Sequence, residues 1–197
     1  MTNNTLTISQ TALDRLTKTT EKSSLDSLLT ARTQRSLLLV DVSGSMGDTF
    51  RDGEGIVRKI DKLRTIVETL QTTHPVPVAA FGINGYGVEL VERIPEPSGM
   101  TPLHKAIDFG RVQEATHLVV VTDGQPDDDE AAFAAARTFG GKIDVFYIGE
   151  PNGPGALFCN KLARLAGGSC GVTDLTGEPK KLAAGIAGLL TAPGEVL

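Results

Sequence analysis

The chain has 197 residues, 40% of them apolar, and a formal charge of -5 with acidic and basic residues mixed along its length. That composition suits one domain with a real core, and it offers no basic stripe for nucleic acid or an anionic membrane. No stretch approaches the roughly 18 apolar residues of a membrane span, and the N-terminus lacks the basic and apolar regions of a signal peptide, so the expected location is the cytoplasm.

Residues 1–34 are rich in Thr and Ser, with Leu13, Leu16, Leu25, Leu28 and Leu29 at helical spacing. They are expected to form a helical extension, ahead of a main domain over 35–191 and a fraying tail over 192–197. Ser36-Leu-Leu-Leu-Val-Asp41 reads as a strand buried on both faces, the kind found inside a parallel sheet. Residues 47–55 are expected as a loop. The spacing then predicts a helix over 55–72, with Ile56, Ile60, Leu63, Val67 and Leu70 as its apolar stripe and Lys59 off it. Strands are expected at 76–81 and 87–91, joined through a turn centred on Asn84-Gly85, the second being an antiparallel edge.

A loop over 94–100, held out of regular structure by Pro95 and Pro97, leads to a helix opening at Thr101-Pro102, with Leu103, Ile107 and Val112 facing inward. A central strand is expected at 118–122, ending in Asp123-Gly124. A helix over 128–138 follows, a strand over 143–148, and a helix over 154–166 with Phe158, Leu162 and Leu165 on one face. A short strand near 170–173 and a last helix over 179–190, with Leu182, Ile186 and Leu189 as its stripe, complete the chain. Strands alternating with helices imply an α/β fold with a mostly parallel sheet, which binds ligands at the carboxyl ends of its strands.

Asp41, Ser43 and Ser45 gather a carboxylate and two hydroxyls where the first strand stops, and Asp123 lies at the same sheet edge. Hard oxygen donors at a strand end suit a divalent cation such as Mg²⁺. Each piece alone has a simpler reading: a polar turn for Asp-x-Ser-x-Ser, a helix cap for Thr101, a turn for Asp123-Gly124. The acidic run Asp127 to Glu130 reads as carboxylates at a helix N-terminus. Cys159 and Cys170 lack C-x-x-C spacing and are expected as reduced thiols; His74, His104 and His117 form no zinc pattern.

Asp-Val-Ser-Gly-Ser, Asp41 to Ser45, resembles the D-x-S-x-S signature of von Willebrand factor A domains. The metal-ion-dependent adhesion site of that family is completed by a threonine in a later loop and an aspartate after the fourth strand. Thr101, in Gly-Met-Thr-Pro-Leu, and Asp123, in Val-Thr-Asp-Gly, match those pieces in the family's order. Residues 36–190 resemble the family's run of strands and helices. The resemblance implies a Rossmann-like, doubly wound sheet of six strands with one antiparallel edge and helices on both faces. It implies Mg²⁺ as the ion, with Mn²⁺ or Ca²⁺ as alternatives. Ser43, Ser45 and Thr101 would coordinate it directly and Asp41 and Asp123 through water, and a protein partner would supply an Asp or Glu carboxylate. Thr101 would reach the ion in some conformations and not in others.

It further implies an intracellular, bacterial-type stand-alone member that works beside a MoxR-type AAA+ ATPase or in a stress system such as tellurite resistance. Neither nucleic acid nor membrane is an expected partner, and no catalysis is expected. One rival is a structural subunit whose metal merely stabilises the fold. The other is a Mg²⁺-dependent phosphatase of the haloacid dehalogenase type. That class has Asp-x-Asp where this chain has Asp41-x-Ser43, and the sequence places no obvious basic residue to meet a phosphate. The G-x-S-x-G, phosphate-loop and dinucleotide-loop patterns are absent.

Overall fold

The computed structural model describes residues 35–53 and 55–191. The expected extension over 1–34 and the tail over 192–197 lie outside the described residues. Strand β1 (Ser36–Asp41) is followed by a 3₁₀ turn (Gly44–Gly47) and by β2 (Thr49–Asp52) and β3 (Gly55–Arg58). Helix α1 (Lys59–Thr73), β4 (Val78–Ile83) and β5 (Gly87–Leu90) come next. The chain continues through α2 (Leu103–Val112), β6 (His117–Thr122), α3 (Asp129–Thr138) and β7 (Lys142–Ile148). It ends in α4 (Pro154–Leu165), β8 (Cys170–Thr173) and α5 (Pro179–Thr191).

Six strands form one sheet in the order β5-β4-β1-β6-β7-β8, parallel except for the antiparallel β4–β5 pair at one edge. The chain leaves β1 for β4 on one side and later crosses to β6 on the other. Alternate residues of β1 serve opposite faces, as strand geometry requires. Leu37 and Leu39 join Phe81, Leu118 and Val120 in a core closed by Leu103 and Ile107 of α2, Phe133 of α3, and Phe158 and Leu162 of α4. Leu38 and Val40 join Val119 and Val121 under Ile60, Leu63, Ile66 and Leu70 of α1 and Ile186 of α5. Covered on both faces, β1 and β6 have no room for alternating polar residues, which explains their continuous apolar runs. The doubly wound α/β architecture expected from the sequence is therefore present.

Several local expectations are corrected. The span 49–58 is not loop and helix but a two-stranded hairpin, pairing Phe50 with Val57 and Arg51 with Ile56. Ile56 lies on β3 and is 74% exposed, and α1 begins only at Lys59. Gly53, at φ +62°, takes the positive-φ position directly after β2 that the hairpin connection needs. The hairpin's Asp52 accepts a hydrogen bond from Lys62, which ties it to α1. Val112 does not face inward; it ends α2 exposed to solvent. Leu165 is 37% exposed, and α5 buries Ala183, Ile186, Ala187 and Leu190 while Leu182 and Leu189 pack only partly. Strand β4 begins two residues later than expected, after Pro77. Cys159 is buried and Cys170 half-buried, and both are free thiols.

A polar network closes the amino end of the sheet. Asp144, buried within β7, accepts hydrogen bonds from His117 Nε2 at 2.8 Å and Lys142 Nζ at 2.9 Å. It also accepts from the Ser169 backbone at 2.7 Å and the Ser169 hydroxyl at 3.0 Å. Burial pushes the Asp144 carboxyl up, but the bonds from His117, Lys142 and Ser169 outweigh it and bring it down to about 2.

Candidate metal-binding edge

The carboxyl ends of β1 and β6 lie side by side, because Val40 pairs with Val121. Asp41, the last residue of β1, is wholly buried. Its Oδ1 accepts from the Ser43 backbone N–H at 2.8 Å and its Oδ2 from the Thr122 hydroxyl at 2.6 Å. One bond folds the chain back after β1; the other locks β1 to β6. Burial pushes the Asp41 carboxyl up to about 7, against bonds from Thr122 and Ser43 that favour the charged form.

The turn Gly44–Gly47 carries Ser45 and is pinned from below by Met46, which is wholly buried. It sets the Ser45 hydroxyl 3.2 Å from the Ser43 hydroxyl and 2.8 Å from Asp123 Oδ1. Three oxygens thus follow one another in contact: Ser43 Oγ, Ser45 Oγ, Asp123 Oδ1. Adjacent corners of a Mg²⁺ octahedron are about 2.9 Å apart, since Mg–O distances are about 2.0–2.1 Å. The 3.2 Å between the two serine hydroxyls is near that edge length, and a donor set of hydroxyls with a carboxylate beside them fits a small hard cation in chemistry. Among the described residues no group of three or more His, Cys, Asp or Glu side chains is placed to hold a metal ion. The candidate donors here are hydroxyls with carboxylates, not a carboxylate or thiolate cage.

Thr101 arrives from a separate loop whose placement is set by backbone. Ser98 N–H donates to Val42 O at 2.7 Å, Gly44 N–H to Gly99 O at 3.1 Å, and Met100 N–H to Gly85 O at 3.2 Å. Thr101 itself is buried, and its carbonyl accepts from the Asp127 N–H at 3.2 Å, which joins this loop to the one after β6. Pro102 occupies the cap position of α2, so Thr101 does not cap that helix through its side chain. Asp128 is the true cap of α3, accepting from the Ala131 N–H at 2.9 Å, the role expected of the acidic run.

Two contributors escaped the sequence reading. Gly82 has φ +95°, and a Cβ there would stand 2.6 Å from the Met100 carbonyl and 3.1 Å from the Ser43 nitrogen. It is therefore the spacer between the first and second loops, not only a turn residue. Gly82→Ala should destabilise the fold by about 1–3 kcal/mol. A thermal melt checks this; an alanine variant that melts like wild type would rule out the spacer role.

Lys59 is the second. Its ammonium lies 2.6 Å from Asp123 Oδ2, 3.3 Å from the Ser45 carbonyl and 3.7 Å from Asp48 Oδ2. The sequence places no obvious basic residue to meet a phosphate; the fold brings Lys59 to the acidic edge. Lys59 sits 14 positions after Ser45 on the polar side of a helical stripe, where only the folded chain reveals what it meets.

No protein-family model matches the sequence, and no curated protein sequence does either. Among solved structures, a von Willebrand factor type A protein from Catenulispora acidiphila superposes with a TM-score of 0.56 at 17% identity. The alignment covers 80% of this chain and 42% of that protein, so the chain spans less than half of its length. At that identity the likeness is one of fold, and it agrees with the strand order and the single antiparallel edge described above. The domain has the von Willebrand factor A type of α/β fold.

Proposed function

We propose that the carboxyl edge of β1 and β6 is a divalent-metal-dependent adhesion site through which the protein binds an acidic side chain of a protein partner. The observation that carries this reading is the contact chain Ser43–Ser45–Asp123, with the loop that leads to Thr101 bonded to the Ser45 turn through Gly44 and Gly99. Ser43, Ser45 and Thr101 would offer neutral hydroxyl oxygens. Asp123 supplies nearby negative charge, and Asp41 orients the Ser43 backbone and Thr122 from below. A bound Mg²⁺ with mainly neutral ligands remains strongly electrophilic and keeps octahedral positions open to an incoming carboxylate. The cytoplasmic setting and the role beside a MoxR-type AAA+ ATPase or a stress-response complex rest on the family resemblance.

Phosphoryl transfer through Asp41 is the weaker reading. A nucleophile must reach its substrate, and Asp41 is wholly buried with both oxygens bound by protein donors. The test is calorimetric titration with Mg²⁺ and Mn²⁺, beside a pull-down with and without EDTA, on wild type, Ser45→Ala and Thr101→Ala. Metal binding should weaken at least tenfold in Ser45→Ala, and partner retention should vanish in EDTA and fall in both variants. Retention that survives EDTA while the melting temperature drops makes the ion structural. Aryl-phosphate hydrolysis abolished by Asp41→Asn would make the protein an enzyme.

A further inference from the structure

The ammonium of Lys59 rests on Asp123, one of the two carboxylates proposed above to serve a divalent ion. Lys59 opens α1, and its backbone N–H donates to Asp48 O at 2.9 Å, so its Cα is fixed beside the Ser45 turn. The side chain is 23% exposed and reaches inward, not to solvent. Its contacts are all oxygens: Asp123 Oδ2 at 2.6 Å, the Ser45 carbonyl at 3.3 Å and Asp48 Oδ2 at 3.7 Å. Two of the three belong to residues of the candidate metal set. The third, Asp48, is 69% exposed on the rim.

A carboxylate already neutralised by an ammonium attracts a second cation less, and the ammonium itself repels one. The four-carbon stem of lysine can turn its charge between neighbouring oxygens at small cost. Asp48 is the neighbouring carboxylate within its reach.

We infer that Lys59 is a tethered competitor for the metal. Its ammonium holds Asp123 until a divalent ion enters, then moves to Asp48, and this exchange keeps the metal affinity of the edge low. The inference rests on the metal-site reading and deepens it: metal occupancy becomes a contest between an internal and an external cation. It also predicts that loading shifts a positive charge from the interior of the site to its rim.

The experiment is calorimetric titration of the full chain with Mg²⁺ and with Mn²⁺. The proteins are wild type, Lys59→Met, Lys59→Gln, Lys59→Arg and Ser45→Ala, each with a thermal melt. Lys59→Met and Lys59→Gln should bind both ions about tenfold more tightly, while Lys59→Arg, which keeps the charge, should not. Asp48→Asn should weaken binding more in the Lys59 chain than in the Lys59→Met chain, since only the former needs the second perch. If wild type binds and Ser45→Ala does not, but the neutral variants of Lys59 bind equally or more weakly, Lys59 is a structural ion pair and this inference alone is overturned. If neither wild type nor the neutral Lys59 variants bind either ion, the metal-site reading falls and takes this one with it.

Discussion

Replacing Asp41 by Asn should raise the stability of the protein in EDTA and, under the metal-site reading proposed above, weaken the binding of Mg²⁺. Asp41 is wholly buried, and its carboxyl is pushed up to about 7 by that burial. From the ordinary value of 3.8, such a rise means that ionised Asp41 weakens the metal-free fold by up to about 4 kcal/mol at neutral pH. Asn is nearly isosteric and carries no charge. Its amide oxygen can accept from the Ser43 N–H, and its NH₂ can donate to the Thr122 hydroxyl, which then turns toward the Gly124 carbonyl 3.5 Å away.

The sign with pH follows. Between pH 3.8 and about 7 the folded chain keeps a proton on Asp41 that the unfolded chain has lost. Wild type in EDTA should therefore gain stability as the pH falls through 7 toward 4, relative to Asp41→Asn, and the gap between them should close. Denaturant melts of both proteins across that range check it, with Mg²⁺ titration beside them. A metal-free Asn variant less stable than wild type at pH 7.5 would show that the carboxylate is favoured in place. The expected gain would mean that ionised Asp41 costs the metal-free fold stability.

The second large effect lies toward the amino end of the sheet: Asp144 pairs with Val119 and Val119 with Leu38, so it sits about 10 Å below Asp41 along the strands and two strands away. Asp144→Ala should cost about 3–5 kcal/mol and leave Mg²⁺ affinity unchanged. The loss takes the Asp144 acceptor from the buried ring N–H of His117 and from the Lys142 ammonium and Ser169 donors nearer the surface. The pH sign is opposite to that of Asp41. The Asp144 carboxyl is brought from 3.8 to about 2, so its contribution of about 2 kcal/mol is fully present above pH 3.8 and disappears as the pH falls through 2. Urea unfolding of wild type and Asp144→Ala between pH 2 and 6 measures the difference. A variant whose deficit did not shrink toward pH 2 would mean that the carboxylate is not the stabilising form.

These two aspartates also mark what the chain discloses before it folds. The long elements were legible because β1, β6 and β7 carry apolar runs that only a doubly covered sheet needs, and α1 carries a stripe of full helical period. Asp41 and Asp123 were legible as site residues because they end such runs. Asp144 was not, since a carboxylate inside an apolar strand acquires meaning only from Lys142 beside it and from His117 and Ser169, which arrive from other elements. The β2–β3 hairpin was missed because Ile56 stands four residues before Ile60 and so mimics one more turn of helix. Val112 ended its helix one step past the core for a related reason: a period says which face a residue is on, not where the neighbour stops. Gly82 meets Met100 18 residues away and Lys59 meets Asp123 64 residues away in sequence, and no local pattern encodes those contacts.

The loops of the binding edge are joined mainly by main-chain bonds: Val42 to Ser98, Gly44 to Gly99, Gly85 to Met100, Thr101 to Asp127. A scaffold of peptide groups is indifferent to most side chains it carries, apart from the glycines that permit its close approaches. The side chains of Met100 and Tyr86, both exposed, and of Lys105 on α2, whose ammonium sits over the Tyr86 ring, are outside that scaffold. The rim can therefore be rewritten by ordinary substitution while the oxygen cluster stays in place. Substitutions at 86, 100 and 105 would change the surface around the oxygen cluster without touching the bonds that hold its loops.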